Sequence, residues 1–220
     1  MKSPNQSLDV MATSYLAALM SGDYAAALHL IRQAQGAGVS LCTIYQSVLQ
    51  PVLYEIGQLW ERGELDIANE HLATAMTRRV MEICFNDVNP ILTGPPKVLA
   101  SCIGPESHDI GLRMIADCLE LRGWRTLYLG ANTPPDAIAA LAVRHHVSVV
   151  AISITISQYV RYVRDLIAVL RRSPEGAAIK LLVGGQPFQR IPNLWRQVGA
   201  DGTAADVLSA IDWIEQHLEA

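Results

Sequence analysis

The sequence has no G-x-G-x-x-G after its first strand-like segment and no G-x-x-x-x-G-K-[ST], so neither a dinucleotide nor a nucleoside triphosphate is indicated. Charge is scarce: 17% of the residues are charged, half are hydrophobic, and the net charge is -4. That apolar content excludes disorder. The acidic balance argues against a nucleic-acid surface, and no direct nucleic-acid binding is expected. Cysteine is confined to Cys42, Cys84, Cys102 and Cys118, with no C-x-x-C and no histidines at zinc-finger intervals, which reads as four reduced core residues. No apolar run approaches a bilayer span, and Lys2 is followed by the polar stretch Ser3 to Asp9 rather than by an apolar signal region. The expectation is a cytoplasmic protein without membrane contact.

What is present falls into two patterns. At 220 residues the chain is long enough for two small domains, each with its own core. Leu8, Met11, Tyr15, Leu16, Leu19 and Met20 recur at three- and four-residue spacings, a helical stripe stopped by Ser21-Gly22-Asp23. A second helix is expected over 23–35. Ser40 is placed to cap a third over 41–60, with a kink or break near Gln50 imposed by Pro51. Asp66 is placed to cap a fourth over 67–85, with Leu72, Met76, Val80 and Ile83 as its buried stripe. Residues 1–91 therefore read as a four-helix bundle.

Residues 92–96, Leu-Thr-Gly-Pro-Pro, form a stiff linker, and beyond them strands alternate with amphipathic helices. Strands are expected over 97–103, 125–129, 147–153, 179–183 and about 200–203. Helices are expected over 110–122, 135–144, 159–172, 192–198 and 204–219. The fold class is α/β: the bundle followed by a Rossmann-like, flavodoxin-like five-stranded parallel sheet over 97–220. Loops at the C-terminal strand ends, 104–111, 130–135, 153–157 and 184–187, should converge where such sheets hold ligands.

Within the first of those loops, Glu106, His108 and Gly111 form E-x-H-x-x-G. A neutral imidazole there is a good metal ligand, the carboxylate can fix its tautomer, and the glycine lets a bulky ligand approach. Alternatively His108 is a surface loop histidine. Ser153, Thr155, Gly184 and Gly185 stand at the ends of the third and fourth strands, where small residues open a slot or simply make turns.

Taken together, Glu106-x-His108-x-x-Gly111, Ser153-x-Thr155 and Gly184-Gly185 downstream of a helical bundle resemble the cobalamin-binding domains of the methionine synthase type. The resemblance implies His108 as lower cobalt ligand, with Ser107, Asp109 and Ile110 beside it, and the cofactor's nucleotide tail near Ser153, Thr155 and the paired glycines. The methyltransferase members carry aspartate where this chain has Glu106. Trp60, nine residues, then Glu70-His71 resembles a second branch, the adenosylcobalamin-dependent photoreceptors similar to light-responsive repressors of bacterial carotenoid genes. That likeness implies adenosylcobalamin, or methylcobalamin, as cofactor. Trp60 and Glu70 would house the adenosyl group, and His71 would become the upper cobalt ligand after light.

Only about seven residues precede the first bundle helix, where the repressors carry a helix-turn-helix domain of the MerR type. The expectation is a light-sensing regulator that is not an enzyme and that signals through a protein partner, such as a transcription regulator, or through self-association. A corrinoid methyl carrier of a methyltransferase system and a cobalamin-responsive antirepressor are the alternatives. His29, His145, His146 and His217 are assigned no role.

Overall fold

The computed structural model describes residues 4–218, and the readings that touch Lys2, Ser3 and Glu219 lie outside them. The chain divides into two compact units, one up to Asn89 and one from Pro90.

The first unit is helical. Helix α1 (Pro4–Met20) buries Tyr15, Ala18 and Leu19, and α2 (Tyr24–Gly36) starts where Asp23 accepts a hydrogen bond from the Ala26 amide at 2.9 Å. Helix α3 (Leu41–Ile44) is capped by Ser40, which accepts from the Thr43 amide at 3.1 Å. It runs through a π-helical turn, Tyr45–Leu49, into α4 (Gln50–Glu61).

The break expected near Gln50 is thus a change of helix type. Pro51 has no amide hydrogen, and its ring would press on the carbonyl four residues earlier in a regular α-helix. The wider π turn, in which the Gln50 amide donates to the Tyr45 carbonyl, keeps the path helical. Helix α5 (Ile67–Val88) is capped by Asp66, which accepts from the Asn69 amide at 2.8 Å, and ends at Asn89 with φ 47°. Its buried face is Ala73, Met76, Thr77, Val80, Met81, Cys84 and Phe85. Of the expected stripe, Met76 and Val80 are buried, Ile83 is partly buried and Leu72 is 45% exposed, because Ala73 and Cys84 take the inner positions at the two ends.

The second unit is a five-stranded parallel sheet of order β2-β1-β3-β4-β5. Its strands are β1 (Val98–Ile103), β2 (Thr126–Thr133), β3 (Val149–Ser153), β4 (Lys180–Gly184) and β5 (Gly202–Ala204). Every residue of β1 is buried, as a central strand covered on both faces requires. Helices α6 (Ile110–Leu121) and α12 (Val207–Leu218) pack against each other. The other layer holds α7 (Pro135–Arg144), α8 (Val160–Leu170), α9 (Pro174–Ala178), α10 (Gln186–Arg190) and α11 (Leu194–Val198). Of these, α9 and α10 were not expected; each is about one turn long with a proline in its first two positions, too short for an apolar period to register.

Strand β2 also runs further than expected. Gly130 at φ 72° and Asn132 at φ 57° absorb two register shifts against β1, so the segment stays paired through Thr133 instead of leaving the sheet as a rim loop. Cys84 and Cys102 are buried free thiols. Cys42 and Cys118 are buried but are not free thiols, so the expectation of four reduced cysteines holds for two of them. No described helix is long and apolar enough to cross a membrane.

Candidate functional site

Strand β1 is apolar throughout and ends at Ile103. Gly104, at φ 61°, turns the chain with the Tyr162 ring against it, where an added Cβ would lie 2.6 Å from Cδ2. Only glycine fits that turn. The loop then places Glu106 inside and His108 at the surface. Glu106 is fully buried, a position that a carboxylate occupies only when its oxygens are satisfied. They are. One oxygen, Oε1, accepts from the His108 amide at 3.0 Å and lies 2.5 Å from His108 Nδ1; the other, Oε2, accepts from the amides of Thr155 at 2.6 Å and Ile156 at 3.3 Å.

Burial alone raises the Glu106 carboxyl, but the His108 ring and the amides of Thr155 and His108 outweigh it and hold it at about 2. The side chain is therefore an anion at neutral pH. With Nδ1 turned to Glu106, the His108 ring directs its other nitrogen, Nε2, away from the carboxylate, and the side chain is 53% exposed. A buried carboxylate that orients a half-exposed imidazole is the support that a histidine metal ligand needs. Although glutamate is one methylene longer than aspartate, it still reaches the ring.

The neighbours fill out the rim. Ser107 is exposed and Gly111 is exposed in the first turn of α6, with nothing within 4 Å of where a Cβ would stand. Ile110 is buried in the same turn. Asp109 is 6% exposed and accepts from the Tyr128 hydroxyl at 2.7 Å through Oδ2. Ser153, at the end of β3, sits in register between Cys102 of β1 and Gly184 of β4. Gly185 has φ 96°, and a Cβ there would stand 1.9 Å from the Ile154 carbonyl oxygen, so the β4 loop lies directly on the β3 loop. Glu106, His108, Ser153, Thr155, Gly184 and Gly185 thus belong to three adjacent strand ends.

Three features were missed. The Tyr128 to Asp109 bond and the Tyr162 ring on Gly104 join residues far apart in sequence, and the Cys102 thiol donates to the His108 carbonyl at 3.5 Å within the turn that follows β1. Tyr128 reads as one more strand residue until β2 is known to lie beside β1. Burial pushes the Cys102 thiol well up, with the Asp109 and Glu106 carboxylates adding to it, so it stays protonated.

In the helical unit, Trp60 stands in the last turn of α4 and Glu70 and His71 near the start of α5, across the 62–66 turn. Trp60 is 46% exposed. Glu70 Oε2 lies 2.5 Å from His71 Nδ1, Glu70 Oε1 accepts from the Thr74 hydroxyl at 2.9 Å, and the His71 side chain is 72% exposed. The two site histidines are therefore built alike: each ring has its Nδ1 against a glutamate and is more than half exposed.

An open parallel sheet with a carboxylate-held histidine at its C-terminal rim has the architecture with which α/β proteins hold ligands. The sequence model of the B12 binding domain matches residues 96–212, and a second B12 binding domain model matches residues 11–84. The chain belongs to the B12-binding family, and cobalamin is the cofactor class that this supports.

Among curated relatives, the HTH-type transcriptional repressor CarA of Myxococcus xanthus is 36% identical over 105 residues, 48% of this chain and 34% of that protein. Monomethylamine corrinoid protein 2 of Methanosarcina acetivorans is 25% identical over 199 residues, 88% of this chain and 90% of that protein. The chain thus spans about a third of the length of the repressor. The solved monomethylamine corrinoid protein of Methanosarcina barkeri shares the fold, with a TM-score of 0.80 at 20% identity over 92% of this chain and 95% of that one.

The residues on the rim fit a flat, bulky, metal-bearing ring. His108 offers a nitrogen, Gly111 leaves open space beside it, and Gly184-Gly185 keeps side chains off the adjoining strand end.

Proposed function

We propose that this chain is a light-responsive cobalamin-binding regulator. His108 is its lower cobalt ligand, and His71, with Trp60 and Glu70, forms its upper-face apparatus. The observation that carries the reading is the paired design of the two histidines, each held through Nδ1 by a glutamate at 2.5 Å. A buried support such as Glu106 raises the basicity of its imidazole and fixes the ring before any ligand arrives.

Bound adenosylcobalamin supplies a cobalt–carbon bond that light breaks. Every other contribution comes from the chain. Glu106 holds the His108 tautomer with Nε2 as the donor atom, while Thr155, Ser153 and the paired glycines shape the slot for the nucleotide tail. Trp60 offers an apolar wall for the adenosyl group, and Ser107, Asp109, Ile110 and Gly111 form the floor beside His108. Glu70 orients His71, whose Nε2 would be the nitrogen to hold the cobalt once the adenosyl group had left. The signal then passes to a protein partner, such as a transcription regulator, or to another copy of the chain.

The test is an absorption spectrum of the adenosylcobalamin-loaded protein in the dark and after green light, for wild type, His71→Ala and His108→Ala. A stable photoproduct that depends on His71 supports the reading. A photoproduct identical in wild type and His71→Ala removes the bundle motif from the mechanism.

One observation favours a second reading, a methyl carrier of a methyltransferase system: the alignment with the monomethylamine corrinoid protein extends over nine-tenths of that protein. On that reading methylcobalamin is the working form, and Trp60→Ala leaves methyl transfer unchanged.

A further inference from the structure

We propose that the outer face of α8, α10 and α11 is a docking surface for an acidic protein segment. Its use in signalling rests on the regulator reading above; the surface itself rests on charge and packing alone.

Charge is unevenly divided along the chain. Residues 134–201 hold eight of the seventeen Lys and Arg but four of the twenty-one Asp and Glu, a local excess of four positive charges in a chain of net charge -4. The rest of the chain is correspondingly net -8. That stretch supplies β3, β4 and one helical layer of the sheet unit, in which α8 and α10 both pack against α11.

Not all of its cations are available. Arg171 donates to the carbonyls of Gly176, Ala177 and Ile179 and to the Asp201 carboxylate, so it braces the unit. Arg164, Arg172 and Arg190 are exposed and have no ion pair or side-chain hydrogen bond among the described residues. Beside Arg190, Ile191 is 42% exposed, and the Arg196 guanidinium lies 4.7 Å from the centre of the half-buried Trp195 ring. Arginine and tryptophan next to an exposed aliphatic side chain is the composition of a protein-binding hot spot.

A protein segment fits this face better than a nucleic acid. Asp165 and Glu175 interrupt the basic surface, and the acidic remainder of the chain repels a polyanion that extends past it. Ile191 needs an apolar partner, which an acidic peptide with aliphatic residues supplies and a phosphate backbone does not. Charge complementarity would set the encounter rate and the register, and the apolar contact would hold the complex.

Fluorescence anisotropy of a labelled synthetic peptide of alternating Glu and Leu, added to the cobalamin-loaded chain in the dark and after light, tests this. The wild type should bind it with a salt-sensitive affinity, and Arg164→Glu/Arg190→Glu should bind it about tenfold more weakly or worse. The same variant should gain affinity for the matching Lys/Leu peptide, which separates a reversed surface from an unfolded one. Peptide binding unchanged by the charge reversal, or a short DNA duplex bound more tightly than the peptide, overturns the proposal. Equal binding in dark and light leaves the docking face standing and removes its use in light signalling, whereas failure to take up cobalamin removes the site reading alone.

Discussion

Replacing Glu106 by Gln should destabilise the cofactor-free sheet unit and abolish a defined part of its pH dependence. The carboxylate accepts four contacts: the His108 amide and ring through one oxygen, and the Thr155 and Ile156 amides through the other. Glutamine offers one carbonyl oxygen and one NH2, and whichever way it turns, the NH2 faces amide hydrogens that it cannot accept. Buried groups left without a partner cost about 1–3 kcal/mol each, partly relieved here because His108 reaches solvent.

The ionisation argument gives a similar figure. Held at about 2 in the fold against an ordinary 4.5, the carboxylate contributes about 3 kcal/mol at neutral pH. Because its value is depressed, that stability is complete above about 4.5 and disappears as pH falls from there towards 2. Urea unfolding of the apo protein at pH 7 and at successive values down to the acid limit of the native state measures it. The wild type should lose stability in that window relative to Glu106→Gln, with the gap between them about 3 kcal/mol at pH 7 and closing in acid. A variant as stable as wild type at pH 7, or one with the same acid slope, would refute the claim that this carboxylate is ionised and fully engaged.

Further outcomes follow from single positions. Gly185→Ala combines a positive φ with a Cβ placed 1.9 Å from the Ile154 oxygen, and should lower the thermal midpoint by an amount equivalent to about 3 kcal/mol or prevent folding. Gly111→Ala, in an exposed first turn with open space at the Cβ, should leave stability equal or raise it by up to about 1 kcal/mol, whereas Gly111→Trp should keep the fold by circular dichroism and lose cobalamin uptake. Tyr128→Phe leaves the buried Asp109 oxygen one donor short, and a loss of about 1–2 kcal/mol is expected in urea titration. His71→Ala removes a 72% exposed side chain and should leave the unfolding midpoint within about 0.5 kcal/mol of wild type, so that any spectral change on illumination reports on function.

Periodicity and capping chemistry made the architecture legible. Asp23, Ser40 and Asp66 all start helices as their residue types suggest, and the fully apolar β1 announces a strand covered on both sides. What escaped depends on geometry that the linear sequence does not encode. The response to Pro51 was visible as a disturbance, but its resolution as a π turn depends on how the surrounding helices pack. The buried face of α5 keeps Met76 and Val80 of the expected stripe, but Ala73 and Cys84 pack inside while the larger Leu72 points out. At the rim, the E-x-H spacing placed a carboxylate near an imidazole. Nothing in the sequence linked that carboxylate to the amides of Thr155 and Ile156, some fifty positions away.

That second pair of contacts bears on how the rim meets a ligand. Ordering a loop residue costs on the order of 1–2 kcal/mol of conformational entropy, and loops that order only on binding draw that cost from affinity. Here one side chain ties the β1 and β3 loops together during folding, so the ordering is settled in the folding equilibrium and not at the moment of capture. Association should then proceed as a docking onto a prepared surface, with a rate set by diffusion and orientation and with little heat-capacity change from the loops themselves.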